Sequence, residues 1–296
     1  MSLTTKIPPH FSIVKNKKIT LFVKEEYKDF ISDIIFDTLP AGTGYSDVFR
    51  VKQGRGSYLS IPVKKNGGER LIIRNYRHGG LLGKLLGNVF FYSDRPFNEI
   101  YVHEVALQNG IPSAEAIAIT KRKILGGLYS ADFITKEIPG AVDLIHFLNE
   151  HPSEYIRESK KFIIPVLAKL IRKMHDAGIY HADLHLKNIL VRKNSAETFE
   201  AYIIDLDKST VLPKLTLPKR MKNLLRLDRS LEKYYWLQRE KTGKELFPVS
   251  KIDRMRFFRA YMANEPVIDS DWKTYIRQYY SPHTFHKFWW RVLRLS

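Results

Sequence analysis

The sequence predicts an α+β fold of two lobes: an N-terminal lobe, residues 1–138, with an antiparallel sheet and one main helix, and a mostly helical C-terminal lobe, residues 139–296. Three observations predict it. A chain of 296 residues exceeds one simple domain, and 44% hydrophobic content with aromatics along its whole length is that of a globular protein. Short extended segments punctuated by glycine turns fill the first half. Apolar residues at helical spacing follow in the second half, as in "FIIPVLAKLIRKMHDAG". Two lobes leave a cleft between them, and a cleft is where a site is expected.

The elements follow in order. From Phe49, "FRVKQGRGSYLSIPVKKNGGERLIIRNY" reads as three strands joined by turns at "GRGS" and "NGG". Pro96 to Gly110, "PFNEIYVHEVALQNG", carries Ile100, Val105 and Leu107 and ends in glycine, which predicts a helix and its C-cap. "IPSAEAIAITKRKILGGLYSADFITKEIPG" returns to strands with a hairpin at "LGG", so five strands and one helix make the first lobe. Residues 1–45 are assigned no element. In the second lobe Ile163, Val166, Leu167, Leu170, Ile171 and Met174 share a helical stripe; Pro165 either kinks that helix or marks a later start.

The totals narrow the function. Zero cysteines excludes disulfides, thiolate metal sites and cysteine nucleophiles, and suits a reducing, cytoplasmic compartment. The N-terminus has no apolar core of signal-peptide length, and no apolar run nears the roughly 18 residues of a spanning helix, so an integral membrane protein is not expected. The net charge of +18 raises three partners: nucleic acid, an anionic membrane surface or an acidic small substrate. Residues 208–296 hold 20 Lys and Arg against 8 Asp and Glu, so most of the excess lies in the last third.

The chemistry-bearing stretch is "IYHADLHLKNILV", residues 179–191, followed by "YIIDLDKS", residues 202–209. Asp183 sits on a turn, Asn188 comes five positions later before the strand "NILV", and the strand "AYIID" ends at Asp205. A hairpin brings Asp205 back toward Asn188, giving two oxygen ligands of the kind Mg²⁺ takes, completed by water and substrate phosphates. Asp183 stays free to accept a proton from a hydroxyl. That division of labour is phosphoryl transfer from an ATP-bound Mg²⁺, and the spacing agrees with the protein-kinase catalytic loop and its second metal-binding Asp.

The upstream segment supplies the remaining parts. Gly54 and Gly56 in "QGRGS" allow backbone N–H groups to approach a nucleotide. Arg74 in "LIIRNY" stands where kinases carry a phosphate-binding lysine, a departure, since a guanidinium is larger and keeps its proton. Glu99 is the expected partner of Arg74, with Glu104 the runner-up. Backbone groups near Glu137 and Ile138, where "FITKEIPG" runs into a crossover, are placed to bind adenine.

With these parts in view, the sequence resembles the lipopolysaccharide core kinases of Gram-negative bacteria, most closely the 3-deoxy-D-manno-octulosonic acid (Kdo) kinases. "GRGS", "RNYRHGGLLGKLL", "FNEIYVHEVALQNGIPSAEAIA", "YHADLHLKNILV", "IIDLDKS" and "KNLLRLDRSLEK" carry the resemblance over roughly residues 50 to 235. It implies a protein-kinase-like fold and an ATP-dependent kinase, with a nucleotide-binding first lobe and a catalytic, acceptor-binding second lobe. The implied acceptor is a Kdo hydroxyl on Kdo-lipid A, reached by a peripheral protein at the cytoplasmic face of the bacterial inner membrane. By position Asp183 is the base and Asn188 and Asp205 the metal ligands, while His181 is a structural support. Asp207 replaces the usual glycine of the second motif, as a further metal contact or a hydrogen-bonded strand end; His185 and Lys187 lie near the acceptor with roles left open.

No "APE"-like segment follows "DLD", which argues against a peptide platform and for a small or lipid-linked acceptor. The basic excess then matches lipid A phosphates and the Kdo carboxylate. A heptose kinase of the inner core shares the machinery and is the nearest alternative; an atypical protein kinase and a non-catalytic scaffold rank below it. Nucleic acid is not an expected partner, because the acidic clusters repel phosphates unless a metal is present. The tail "YYSPHTFHKFWWRVLRLS" places Phe285, Phe288, Trp289 and Val292 on one helical face and Lys287, Arg291 and Arg294 around the other side, a pattern suited either to an anionic membrane surface or to packing on the core.

Overall fold

The computed structural model describes residues 8–38, 50–52, 58–63, 68–76, 89–91, 94–124, 126–242 and 249–263. The chain forms two compact units, Met1–Ala141 with Tyr202–Val211, and Val142–Ala201 with Leu212–Ser296. The first unit therefore takes in a segment that the sequence reading placed in the second lobe. Backbone bonds hold it there: Ile203 N–H donates to the Pro112 carbonyl at 2.9 Å, and Ala114 N–H donates to the Ile203 carbonyl at 3.3 Å.

The first unit is an antiparallel sheet. Its strands are β1 (Phe11–Lys15), β2 (Ile19–Lys24), β3 (Arg50–Lys52), β4 (Tyr58–Pro62), β5 (Arg70–Asn75), β6 (Phe90–Phe91), β7 (Ala116–Lys123) and β8 (Leu128–Lys136). The order is β1-β2-β7-β8-β5-β4-β3, with β6 paired to β8. The expected meander and hairpin are β3 to β5 and β7 to β8. Two strands at one edge, β1 and β2, come from the region assigned no element. Residues 28–38 add α1 (Lys28–Ser32) and a π-helical turn (Asp33–Thr38), so the lobe holds more than one helical segment.

Period-two alternation puts a core on each face of this sheet. Leu21, Val23, Leu71, Ile73 and Ile134 face one way, against Tyr27, Ile31 and Ile35 of the short helical segments. Phe22, Ile119, Tyr129, Ala131 and Phe133 face the other way, against Phe97 and Ile100 of helix α2 (Arg95–Gln108). The Phe22 and Phe97 rings meet edge to face at 4.5 Å. Helix α2 is thereby fixed, and with it Glu99, whose side chain is fully buried.

In the second unit β9 (Val142–Asp143) leads into α3 (Leu144–Glu150), where the Asp143 carboxylate caps the helix by accepting from the Ile145 and His146 N–H groups. Helix α4 (Ser153–Asp176) runs through Pro165, so the proline is interior and not a start. It buries Ile163, Leu167, Leu170, Ile171 and Met174 and packs on α6 (Lys251–Met262); α5 (Leu217–Thr242) lies between them in sequence. Gly178 ends α4 with φ +75°, and an added Cβ would lie 1.9 Å from the Leu212 carbonyl oxygen, so no other residue fits without backbone movement.

Candidate active site

The site residues on the first unit form one charge network. Arg74, on β5, donates through Nη2 to Glu99 at 2.5 Å and through Nη1 to Asp205 at 2.5 Å. Glu99 is therefore the partner of Arg74, while Glu104 pairs with His10 at 3.2 Å. The second Glu99 oxygen accepts from the Tyr76 hydroxyl. Burial pushes the Glu99 carboxyl up to about 7; Arg74 and Tyr76 pull it down, and Asp207 and Asp205 push it further up. Burial also opposes the Arg74 charge, but Glu99 and Asp205 outweigh it and raise its affinity for its proton.

Asp205 lies two residues beyond the strand β12 (Phe199–Ile203), with φ +60°, a left-handed conformation that Asp tolerates better than most residues. Asp207 is engaged on both oxygens by Arg95, with Nε to Oδ1 at 2.7 Å. Of the two readings open for Asp207, the structure shows the hydrogen-bonded one, and its partner Arg95 was not among the residues singled out. Asn98 on α2 donates to the Ser209 carbonyl at 2.9 Å, tying the far end of this segment to the helix.

Glu137 accepts from the Ser60 hydroxyl at 2.6 Å, and its backbone N–H donates to the Arg70 carbonyl at 2.8 Å. The Ile138 carbonyl accepts from Ala141 N–H at 3.2 Å. These groups lie near the end of the first unit, where the Glu137 carboxylate, the Glu137 N–H and the Ile138 carbonyl are engaged within the protein. Gly54 and Gly56 lie outside the described residues, as does the aromatic and basic tail.

The remaining site residues belong to the second unit. After β10 (Ile179–Tyr180) the chain forms an irregular loop, one 3₁₀ turn (Leu186–Asn188) and then β11 (Ile189–Lys193). Asn188 Nδ2 donates to the Asp183 carbonyl at 2.9 Å, closing the loop across its five-residue span. Asp183 N–H donates to His181 Nδ1 at 3.1 Å, and His181 is fully buried, the support expected of it. The Asp183 side chain is 53% exposed; His185 Nε2 stands 3.3 Å from Oδ2 and Arg226 Nη2 2.9 Å from Oδ1.

Residues that the sequence reading missed hold this loop from α5. Asn223 accepts from His181 N–H at 3.1 Å and donates to the His181 carbonyl at 2.9 Å. Ser230 accepts from Leu186 N–H at 3.2 Å. The signal was present in "KNLLRLDRS", where polar residues recur at helical spacing, but the stretch reads equally as a solvated basic face. Behind Asn223 lies His175, buried and neutral, donating through Nε2 to Asn223 at 3.2 Å and accepting from the Tyr261 hydroxyl at 2.6 Å; burial first of all lowers its pKa to about 3.

One unit thus presents an Asp and an Asn on a pinned loop, and the other a part-exposed cation held against a fully buried carboxylate. The family model of the lipopolysaccharide kinase (Kdo/WaaP) family matches residues 44–279, and the chain belongs to that family. Among its relatives are the 3-deoxy-D-manno-octulosonic acid kinases of Vibrio cholerae serotype O1, 32% identical over 186 residues (61% of this chain, 72% of the relative), and of Haemophilus influenzae, 34% identical over 189 residues (61% and 73%). A solved structure of WaaP in complex with acyl carrier protein is similar in fold, with a TM-score of 0.52 at 18% identity, covering 83% of this chain and 89% of that one. The fold is thus the kinase-like α+β fold predicted from the sequence.

Proposed function

We propose that this protein is an ATP- and Mg²⁺-dependent Kdo kinase that phosphorylates a Kdo hydroxyl on Kdo-lipid A or a closely related lipopolysaccharide core acceptor. The observation that carries the reading is the Asp183 to Asn188 loop: an exposed carboxylate on a backbone fixed from both sides, with the Asn188 amide closing the turn. In this reading Asp183 accepts the proton of the acceptor hydroxyl as the hydroxyl oxygen bonds to the γ-phosphorus of ATP, whose bond to the β,γ-bridging oxygen breaks so that ADP leaves.

Asn188 and Asp205 offer only oxygen donors, the set that suits Mg²⁺. The Asn188 NH₂ is committed to the Asp183 carbonyl, which leaves the amide oxygen as the end for a cation. Among the described residues no three His, Cys, Asp or Glu side chains form a metal cage. In this reading the two side chains act as partial ligands, as in sites where water and nucleotide phosphates complete the shell. Mg²⁺ supplies neutralisation of charge on the transferred phosphoryl group. Arg74, oriented by Glu99, supplies the fixed cation for the phosphates; nucleotide and Asp205 then draw on the same guanidinium. Gly54, Gly56, Glu137 and Ile138 complete the nucleotide site in this reading.

No helix among the described residues is long and apolar enough to cross a membrane. A peripheral station at the cytoplasmic face of the inner membrane is our proposal for reaching a lipid-linked acceptor, supported by the basic excess in residues 208–296. The test is incubation with labelled ATP, Mg²⁺ and separate Kdo-lipid A, heptosylated lipid A and protein acceptors, followed by mass spectrometry. One phosphate equivalent on a Kdo residue supports the reading; label on heptose alone, or on protein alone, contradicts it.

A further inference from the structure

We infer that Arg226 is a positioning residue for the Asp183 carboxylate, carried by a face of α5 that holds the catalytic loop in register; the inference rests on the proposed role of Asp183 as base. Asn223, Arg226 and Ser230 are spaced by three and four, which places them on one stripe of the helix. They contact the loop in the same order in which it runs. Asn223 binds both backbone groups of His181. Arg226 binds the Ala182 carbonyl through Nη1 and Asp183 Oδ1 through Nη2. Ser230 accepts from Leu186 N–H and donates to the Leu227 carbonyl within its own helix. Seven residues of helix extend about 10 Å, so a rigid rod sets the spacing of the loop.

Arg226 differs from an ordinary surface partner of an acid. An exposed ion pair is worth little, because both side chains lose freedom to form it. Here the planar guanidinium is anchored at one end to a backbone carbonyl, so its other end arrives at Asp183 in a set direction. His185 approaches the opposite oxygen, Oδ2, at 3.3 Å, while its other nitrogen, Nδ1, is buried with no hydrogen-bond partner among the described residues. Each carboxylate oxygen thus has one nitrogen beside it, and rotation of the carboxylate plane is opposed from both sides. A base must present its lone pair to the substrate hydroxyl at hydrogen-bond distance, and misplacement by about 1 Å costs roughly 10²-fold in rate.

The test uses the full-length protein with Mg²⁺-ATP and Kdo-lipid A, comparing the parent with Arg226→Ala, Arg226→Lys, Asp183→Asn and the Asp183→Asn/Arg226→Ala double variant. Thermal melting accompanies the kinetics. Expected is a kcat loss approaching about 10²-fold for Arg226→Ala, with the KM values for both substrates and the melting temperature little changed. Arg226→Lys recovers part of kcat, since an ammonium restores charge but cannot bridge carbonyl and carboxylate together. In the Asp183→Asn background, Arg226→Ala costs no more than a few-fold, because its effect runs through the group already removed. The inference is overturned if Arg226→Ala keeps parental kcat, if its effect is confined to KM for the acceptor, or if it costs the same factor in both backgrounds. Should Arg226→Ala fail to fold, parental kcat in a folded Arg226→Lys would overturn it and a partial loss with unchanged KM would support it. Parental turnover by Asp183→Asn would instead remove the base assignment itself.

Discussion

The two groups of candidate residues are held in place by opposite means. On the first unit Arg74, Glu99, Asp205, Tyr76, Arg95 and Asp207 hold one another, charge against charge, and the central carboxylate is fully buried. On the second unit Asp183 keeps half of its side chain in solvent, and what is fixed is its backbone, through His181, Asn188 and α5. The difference teaches where each kind of job can be done. In the proposed reading a cation that meets phosphates must be aimed, and two carboxylates aim Arg74, Glu99 holding Nη2 from the buried side and Asp205 holding Nη1. A base meant to accept a proton from a substrate needs a reachable oxygen, so rigidity is supplied from behind it.

The comparison breaks most visibly at Asp183. Asp183→Asn is expected to lower kcat by about 10²–10⁴-fold, because the amide cannot take the proton, while the fold and nucleotide affinity persist. Single-turnover measurement of labelled product checks this, and near-parental turnover contradicts it. The next largest effect falls on stability. Glu99→Ala removes the fully buried partner of a part-exposed Arg74 and of the Tyr76 hydroxyl, and leaving both short of an acceptor is expected to cost about 3 kcal/mol. Urea denaturation reads the loss; a change below about 1 kcal/mol would show that Asp205 alone suffices for Arg74.

The second unit has its own buried titratable group, and it responds to pH. His175 ordinarily titrates near 6.5 and is lowered to about 3 in the fold, chiefly by burial. The unfolded chain therefore binds a proton over the window in which the folded chain refuses one. Stability from this group is full above about pH 6.5 and falls as the pH drops toward 3, by about 2 kcal/mol at pH 5. His175 supports Asn223, so this acid loss is expected to loosen the loop that carries Asp183. Urea midpoints of the parent and His175→Gln at pH 7.5 and 5 isolate the contribution, and equal acid losses in both proteins would contradict it. Smallest is Tyr76→Phe, which deletes the hydroxyl donor to Glu99 and is expected to cost about 1 kcal/mol by the same denaturation assay. A Tyr76→Phe protein as stable as the parent would remove that hydroxyl from the network's support.

The sequence made the meander, the central hairpin and helices α2 and α4 legible, because each carries its own period and its own turn residues. It also made the Arg74 to Glu99 pair legible, since the choice lay between two acids on the helix that follows the Arg74 strand. Strands β1 and β2 were not legible: "FSIVK" and "ITLFVK" are short and charged at their ends, and β2 owes its place to pairing with β7, far along the chain, with β1 added beside it. The second motif was placed in the wrong unit for a similar reason, since its anchors Pro112 and Ala114 are nearly a hundred residues upstream. Arg95 and the Asn223, Arg226 and Ser230 face were missed because polar residues on a helix announce solvent, and only the fold shows that Arg95 meets the Asp207 carboxylate and the other three meet the loop backbone.

The most direct test of the division between the two groups is calorimetric titration of ATP, with and without Mg²⁺, into the parent, Asp183→Asn and Asp205→Asn. The account predicts that Asp183→Asn binds ATP as the parent does and keeps its gain in affinity from Mg²⁺, while Asp205→Asn loses that gain because a charged ligand is gone. An Asp205→Asn protein that keeps the full Mg²⁺ dependence, or an Asp183→Asn protein that loses it, would contradict the account.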